Sequence, residues 1–306
     1  MTPDALDWVK RYRRFMTNER RLSKHTDTNY ARDLAALISF CNANGIEDWT
    51  SLDPQHLRLF AARAHARGLA PRSIRRRLSA VRSFYQFLLH ERAVRSNPAF
   101  DIHAPKAPRM LPNTVDADQM ARLLEIAAEG ALAARDLALM ELLYSSGLRL
   151  AELAGLNWEH LNLRDRTVRV LGKGRKERVV PVGREAVRTL TAWQASLVSR
   201  GLRAAQALTA QSPVFIARSG KRLSHRSIQA RVAYWGRRQG LGVRVHPHLF
   251  RHSFASHLLE SSGELRGVQE LLGHANIATT QIYTHLDFQH LARIYDATHP
   301  RARRKP

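Results

Sequence analysis

Cysteine is all but missing. Cys41 is the single one among 306 residues, so an internal disulfide framework is excluded and a reducing cytoplasm is the expected setting. No run of about 18 apolar residues occurs, which leaves no segment to cross a membrane as a helix. The opening MTPDALDWVKRYRRF lacks the apolar core of a signal peptide. Neither an internal repeat nor a low-complexity segment stands out. Acidic residues are scarce too: 26 Asp and Glu stand against 49 Lys and Arg, a formal charge of +23. That excess sets up a positive field suited to a polyanion, either nucleic acid or an anionic membrane surface. Residues 1–106 hold 19 basic and 10 acidic residues, and the rest of the chain 30 and 16. Both parts are therefore expected to meet the same polyanion, and no membrane insertion is expected.

Hydrophobic residues make up 44% of the chain and charged ones 25%, the balance of a globular protein, and the length calls for two domains. Over residues 1–96, four helices are expected. The first runs from about Pro3 to Glu19, the second follows Ser23 and stops at Asn44-Gly45, the third spans about Pro54 to Arg67, and the fourth opens on Pro71. The fourth helix carries Ile74, Leu78, Val81, Phe84, Tyr85, Leu88 and Leu89 on one side, and Arg72, Arg75, Arg76, Arg77 and Arg82 on the other. Residues 97–112 are proline-rich and aperiodic, which reads as a linker. In residues 113–306, helices are expected over about 117–128, 134–145, 184–199, 224–238, 248–260 and 265–272. Between them, WEHLNLRDRTVRVLGKGRKERVVPV alternates apolar and polar residues and predicts a small antiparallel sheet with a hairpin of Thr167–Leu171 and Arg178–Val182. The fold class is mainly α with a small antiparallel β-sheet.

Four segments beyond the linker carry ionisable groups: SGLRLAEL (146–153), LGKGRKERVVPV (171–182), HPHLFRHSFASHLL (246–259) and LLGHANIATTQIYTH (271–285). Singly, each has an ordinary reading: Arg149 as a surface arginine, Lys173 as a solvated hairpin tip, His248 as a helix-face polar residue, Tyr283 as a core aromatic. Together and in this order they resemble the tyrosine recombinase (phage integrase) family. Its pattern sets an Arg in G-L-R-x-x-E-L, a hairpin lysine, H-x-x-R, a His soon after L-L-G and a Tyr nine residues later. Here these are Arg149, Lys173, His248, Arg251, His274 and Tyr283. Within the family the likeness is to the Xer recombinases of bacterial chromosomes, and the ending THLDFQHLARIYDATHPRARRKP resembles their XerC branch.

The resemblance implies an N-terminal four-helix SAM-like core-binding domain and a catalytic domain, with double-stranded DNA as the substrate. It implies that Tyr283 is the nucleophile, that His248 is an acid/base group beside it, that His274 donates a hydrogen bond to the phosphate, and that Lys173 protonates the departing 5′-hydroxyl. The types of residue suit the chemistry. A phosphodiester is anionic and its transition state more so, and guanidinium groups offer paired donors at any working pH. Donors of this kind are worth about 3–4 kcal/mol each in other enzymes. Spaced three apart on a helix, His248 and Arg251 share a face. Glu152, one turn after Arg149, can orient that arginine or form an ordinary ion pair. No cofactor is needed, because a phosphotyrosine ester keeps the bond energy for rejoining.

The resemblance further implies a XerD-like recombinase as partner in a heterotetramer, a septal DNA translocase, and chromosome-dimer resolution. A terminal helix bearing Leu286, Phe288, Leu291, Ile294 and Tyr295 either docks in a neighbouring protomer or folds back. The arginine face of the fourth helix is a candidate for the major groove, or else a solvated face. Ser224 reads as an N-cap, with His225, Arg226, Gln229 and Arg231 as further candidates for DNA contact. Two rivals stand beside this reading. His248 and His252 have the spacing of zinc ligands, but HLFRH lacks the glutamate of H-E-x-x-H and places Arg251 where a cation would be repelled. A basic architectural protein would explain the charge, but it has no use for Tyr283 or Lys173.

Overall fold

The computed structural model describes residues 1–18, 24–106, 115–127, 130–172, 177–199 and 209–262. The chain divides into two compact units, Met1–Leu111 and Pro112–Pro306.

The first unit holds α1 (Pro3–Asn18), α2 (Lys24–Ala43), α3 (Pro54–Ala66) and α4 (Pro71–His90). Proline stands in the first turn of α3 and α4, where its missing N–H costs nothing. Asp53 caps α3, accepting the His56 amide at 2.8 Å. The apolar row of α4 fills the centre, with Leu78, Val81, Phe84 and Leu88 fully buried. Trp49, on a short 3-10 turn, joins three parts of the bundle. Its ring stands edge-on to Phe84, its Nε1 donates to the Ala5 carbonyl at 2.7 Å, and its own carbonyl accepts from Tyr85 Oη at 2.8 Å. The stretch expected to begin the linker instead packs on α4: Ala99 and Ile102 are buried, and Arg82 donates to both their carbonyls, at 2.9 and 3.0 Å.

The second unit contains α5 (Ala117–Leu124), α6 (Ala131–Ser146), α7 (Leu150–Gly155), β1 (Leu161–Asn162), β2 (Thr167–Leu171), β3 (Glu177–Pro181), α8 (Arg184–Ser199), α9 (His225–Arg238) and α10 (Pro247–Ser262). α6 is buried along its length from Leu137 to Leu143, Glu141 included, and packs against α8 and α10, which makes it the central helix of the unit. Its buried Asp136 accepts from Arg135 Nε and Nη2, from Arg231 Nε at 2.6 Å and from Trp235 Nε1 at 2.9 Å, which fastens α9 to the core. The three strands form one antiparallel sheet in the order β1-β2-β3, with Thr167 opposite Pro181 and Leu171 opposite Glu177. Val168, Val170 and Val180 turn inward.

The architecture is the mainly helical one with a small antiparallel sheet that the sequence implies. Three details differ. The second hairpin strand starts one residue early, because its register is set by the pairing of Val170 with Arg178. α5 stops at Leu124, four residues short of the expected end. The bounds of the short α7, a helix implied only by the one-turn spacing of Arg149 and Glu152, and the strand β1 were not predicted. The predicted helix over 265–272 and the terminal helix lie outside the described residues. Among the described residues, no helix is long and apolar enough to cross a membrane.

Candidate active site

The site is built on the turn that ends α6. Gly147 takes a left-handed conformation (φ 55°) that stops the helix where a β-carbon would be strained. Ser146 Oγ donates to the Pro181 carbonyl at 2.9 Å and ties the turn to β3. Leu148 is buried and anchors the next step of the chain, so Arg149 is delivered to the residue just before α7. Glu152, three residues on, reaches back to accept the Arg149 amide at 2.8 Å, the carboxylate half of a capping box. The same carboxylate accepts Arg149 Nη1 at 2.9 Å. From β3, Arg178 meets it with a two-pronged contact, Nη1 to Oε1 at 2.7 Å and Nη2 to Oε2 at 2.9 Å. Burial pushes the Glu152 carboxyl up. The hydrogen bonds from Arg178 and from the Arg149 amide, with the charge of Arg178, outweigh that and hold it below the usual carboxylate range.

α10 supplies the second half of the site. His246 precedes it and Pro247 opens it; His246 Nδ1 accepts the Leu249 amide at 3.2 Å. His248 is exposed, with its ring edge-on to that of His246 at 6.4 Å. One turn later Arg251 is partly buried, and its Nη1 donates to the Gly147 carbonyl at 2.6 Å. The turn that delivers Arg149 therefore also fixes Arg251. Burial pulls the Arg251 guanidinium down to about 10; the like charges of Arg149 and Arg178 act in the same direction and Glu152 against them. It stays protonated at neutral pH, in a place where burial makes its positive charge costly. Two arginines held this way can grip the oxygens of one phosphate.

Arg149, Glu152 and Arg251 thus come together around the Gly147 turn, and His248 stands exposed on the same helix one turn before Arg251. Lys173, His274 and Tyr283 lie outside the described residues. Arg178 was read from sequence only as a strand residue. Its signal was an arginine in step with Val180 along a strand, a place where a guanidinium has to find acceptors inside the fold. Among the described residues, no group of three or more His, Cys, Asp or Glu side chains is arranged to hold a metal ion.

The residues singled out for DNA contact divide sharply. Arg72 and Arg75 on α4 are exposed. Arg76 and Arg77 instead face fully buried Asp33, with nitrogens 3.1 and 3.7 Å from its Oδ1. Arg82 is held by the two carbonyls named above. On α9, Ser224 is the N-cap, its Oγ accepting the Ser227 amide at 3.1 Å. His225, Arg226 and Gln229 are exposed, whereas Arg231 is bound to Asp136.

Residues 113–290 match the phage integrase family, and residues 9–92 match the phage integrase N-terminal SAM-like domain. The tyrosine recombinase XerC of Xanthomonas campestris pv. campestris (strain B100) is 55% identical over 287 residues, which is 94% of this chain and 86% of that one. The tyrosine recombinase XerC of Escherichia coli O127:H6 is 51% identical over 296 residues, 97% of each. Among solved structures, a lambda integrase dimer bound to a COC′ core site shares the fold with a TM-score of 0.67 at 18% identity, over 92% of this chain and 99% of that one. The Tn1549 transposon integrase in complex with transposon right end DNA shares it at 0.71 and 16%, over 92% and 97%. The chain therefore belongs to the phage integrase family of tyrosine recombinases and, within it, to the Xer subfamily of enzymes that cut and rejoin DNA strands.

Proposed function

We propose that the protein is a cytoplasmic site-specific recombinase that breaks and reseals DNA through a 3′-phosphotyrosyl link at Tyr283. In this reading it acts in a heterotetramer with a XerD-like partner, under a septal DNA translocase, to resolve chromosome dimers near the replication terminus. The observation that carries it is the paired anchoring of Arg149 by Glu152 and of Arg251 by the Gly147 carbonyl, which fixes two guanidinium groups on either side of one turn.

In the forward step the Tyr283 oxygen attacks phosphorus and the bond from phosphorus to the 5′-oxygen breaks. The phenol proton leaves to a nearby base, with His248 in that role, and Lys173 gives a proton to the departing 5′-oxygen. Arg149 and Arg251 take the nonbridging oxygens, where charge grows in the transition state, and His274 adds a further donor. Rejoining is the same sequence reversed by a 5′-hydroxyl, so no external energy source enters. The exposed Arg72, Arg75, His225, Arg226 and Gln229 are the candidates for holding the duplex.

The test is a suicide substrate, nicked so that the cleaved end diffuses away, carrying candidate sites and offered with and without a XerD-like protein. A covalent protein–DNA adduct is expected, lost in Tyr283→Phe and reduced about 100- to 1,000-fold in Arg149→Ala. An adduct that persists in Tyr283→Phe would refute the nucleophile. Recombination that proceeds equally well with no partner would refute the heterotetramer.

A further inference from the structure

Arg178 belongs to the arginine–carboxylate cluster, yet the steps above give it no part. It projects from the inward side of β3 and meets Glu152 prong for prong, at 2.7 and 2.9 Å. A carboxylate has about four lone-pair sites. Among the described residues, Arg178 supplies two of the four hydrogen bonds to Glu152, and the Arg149 amide and Nη1 supply the others. Only 5% of the Glu152 side chain and 16% of that of Arg178 is exposed, and Arg178 Nε is buried with no hydrogen-bond partner. Buried ion pairs with an unmet donor are weak devices for stability, and apolar replacements often do as well. The arrangement is better explained by what it does to Arg149. With a single arginine, Glu152 would cancel the charge of Arg149 and be held by one partner. With two, the trio carries net positive charge, and Arg251 adds to it.

We propose that Arg178 is a positioning residue for strand cleavage: its fork fixes Glu152, so that Arg149 keeps both its orientation and its positive charge toward the scissile phosphate. This rests on the assignment of Arg149 and Arg251 to that phosphate. Arg178 also acts on Arg251 by like charge, so removing it weakens the positive field from two sides. Its contribution should therefore depend on the charge of the substrate, which a role in folding alone would not.

The experiment measures single-turnover adduct formation by the full chain at saturating DNA, on a normal site and on one whose scissile phosphate is a neutral methylphosphonate. Gel-shift affinity and thermal melting are followed in parallel. Arg178→Met is expected to lower the rate on the charged phosphate at least tenfold, to leave affinity within about twofold, and to show a deficit of less than threefold on the methylphosphonate. Arg178→Lys, which keeps the charge but loses the fork, should fall between. Equal deficits on both substrates, a rate within twofold of the parent, or no rescue by lysine would overturn the proposal. If Arg178→Met does not fold, Arg178→Lys carries the same comparison, and a lysine enzyme indistinguishable from the parent would then overturn it. Arg149→Ala and Tyr283→Phe run alongside. If those form adduct at the parent's rate, the assignment of the phosphate site is at fault; if they fall as expected and Arg178→Met is normal, only the role of Arg178 fails.

Discussion

His246 stands at the N-cap of α10, where its Nδ1 accepts the Leu249 amide at 3.2 Å, and a nitrogen that accepts must be unprotonated. Desolvation, then the nearby positive charges of His248, His252 and Arg244, push its pKa below the ordinary value. A folded pKa below the unfolded one means that the unfolded chain binds more protons in the window between them. The stabilising contribution is therefore complete above about pH 6.5 and is lost as pH falls through the folded value. His246→Asn supplies a good capping acceptor that does not titrate. It should match the parent in thermal midpoint at pH 7.5 and lose less of it at pH 5.5; an equally steep acid loss would remove His246 as a cause. This helix carries His248 and Arg251, so the cap also bears on the site. Arg149 with Glu152, and His248 with Arg251, stand three apart in two separate segments, and it was their order along the chain, through its likeness to the family pattern, that singled them out. Arg178 was not legible in this way, because its partner lies 26 positions away and only folding pairs β3 with α7. Nor could a basic helix face reveal that Arg82 and Arg231 spend their donors internally, since an amphipathic pattern marks a side and not the acceptor beyond it.

α9 meets the segment before α10 at Gly236, where a β-carbon would stand 2.7 Å from Val245 Cβ and closer still to Cγ2. In the interior of an exposed helix, replacing glycine by alanine stabilises by about 0.5–1 kcal/mol. Here the sign should reverse: Gly236→Ala should cost about 1–3 kcal/mol, because it overfills a packed contact. Urea unfolding measures this, and the double change Gly236→Ala with Val245→Ala should cost less than the sum of the two. A stabilised Gly236→Ala would show that the two segments part easily. Such contacts leave no trace in the sequence, whereas boundaries often do. Pro54, Pro71 and Ser224 marked where α3, α4 and α9 begin, through fixed φ and capping. The six-residue α7 and two-residue β1 gave no readable period, being shorter than the windows in which a period of 3.6 or 2 emerges. The early end of α5 is likewise set by packing, with Ile126 buried just past the helix.

A formal charge of +23 makes affinity for DNA depend on salt, because each phosphate neutralised releases counterion and steepens the log–log slope by about 0.9. Charge alone does not say which arginines contribute, but exposure does. Arg72 and Arg75 are exposed on α4, while Arg82, on the same helix, is occupied by the Ala99 and Ile102 carbonyls. If the whole basic face met the duplex, all three substitutions would act alike. The geometry separates them instead. Arg72→Ala and Arg75→Ala should each reduce the salt slope by about 1 with the melting midpoint unchanged. Arg82→Ala should leave the slope as it was and destabilise by about 1–3 kcal/mol, because it strips donors from carbonyls at the end of the first unit. Gel-shift titrations between 50 and about 200 mM salt, paired with thermal melts of each variant, read both quantities. A flattened slope in Arg82→Ala at unchanged stability would place that arginine on the DNA. An unaltered slope in both Arg72→Ala and Arg75→Ala would move the phosphate contacts of the first unit off α4 and onto another of its basic surfaces.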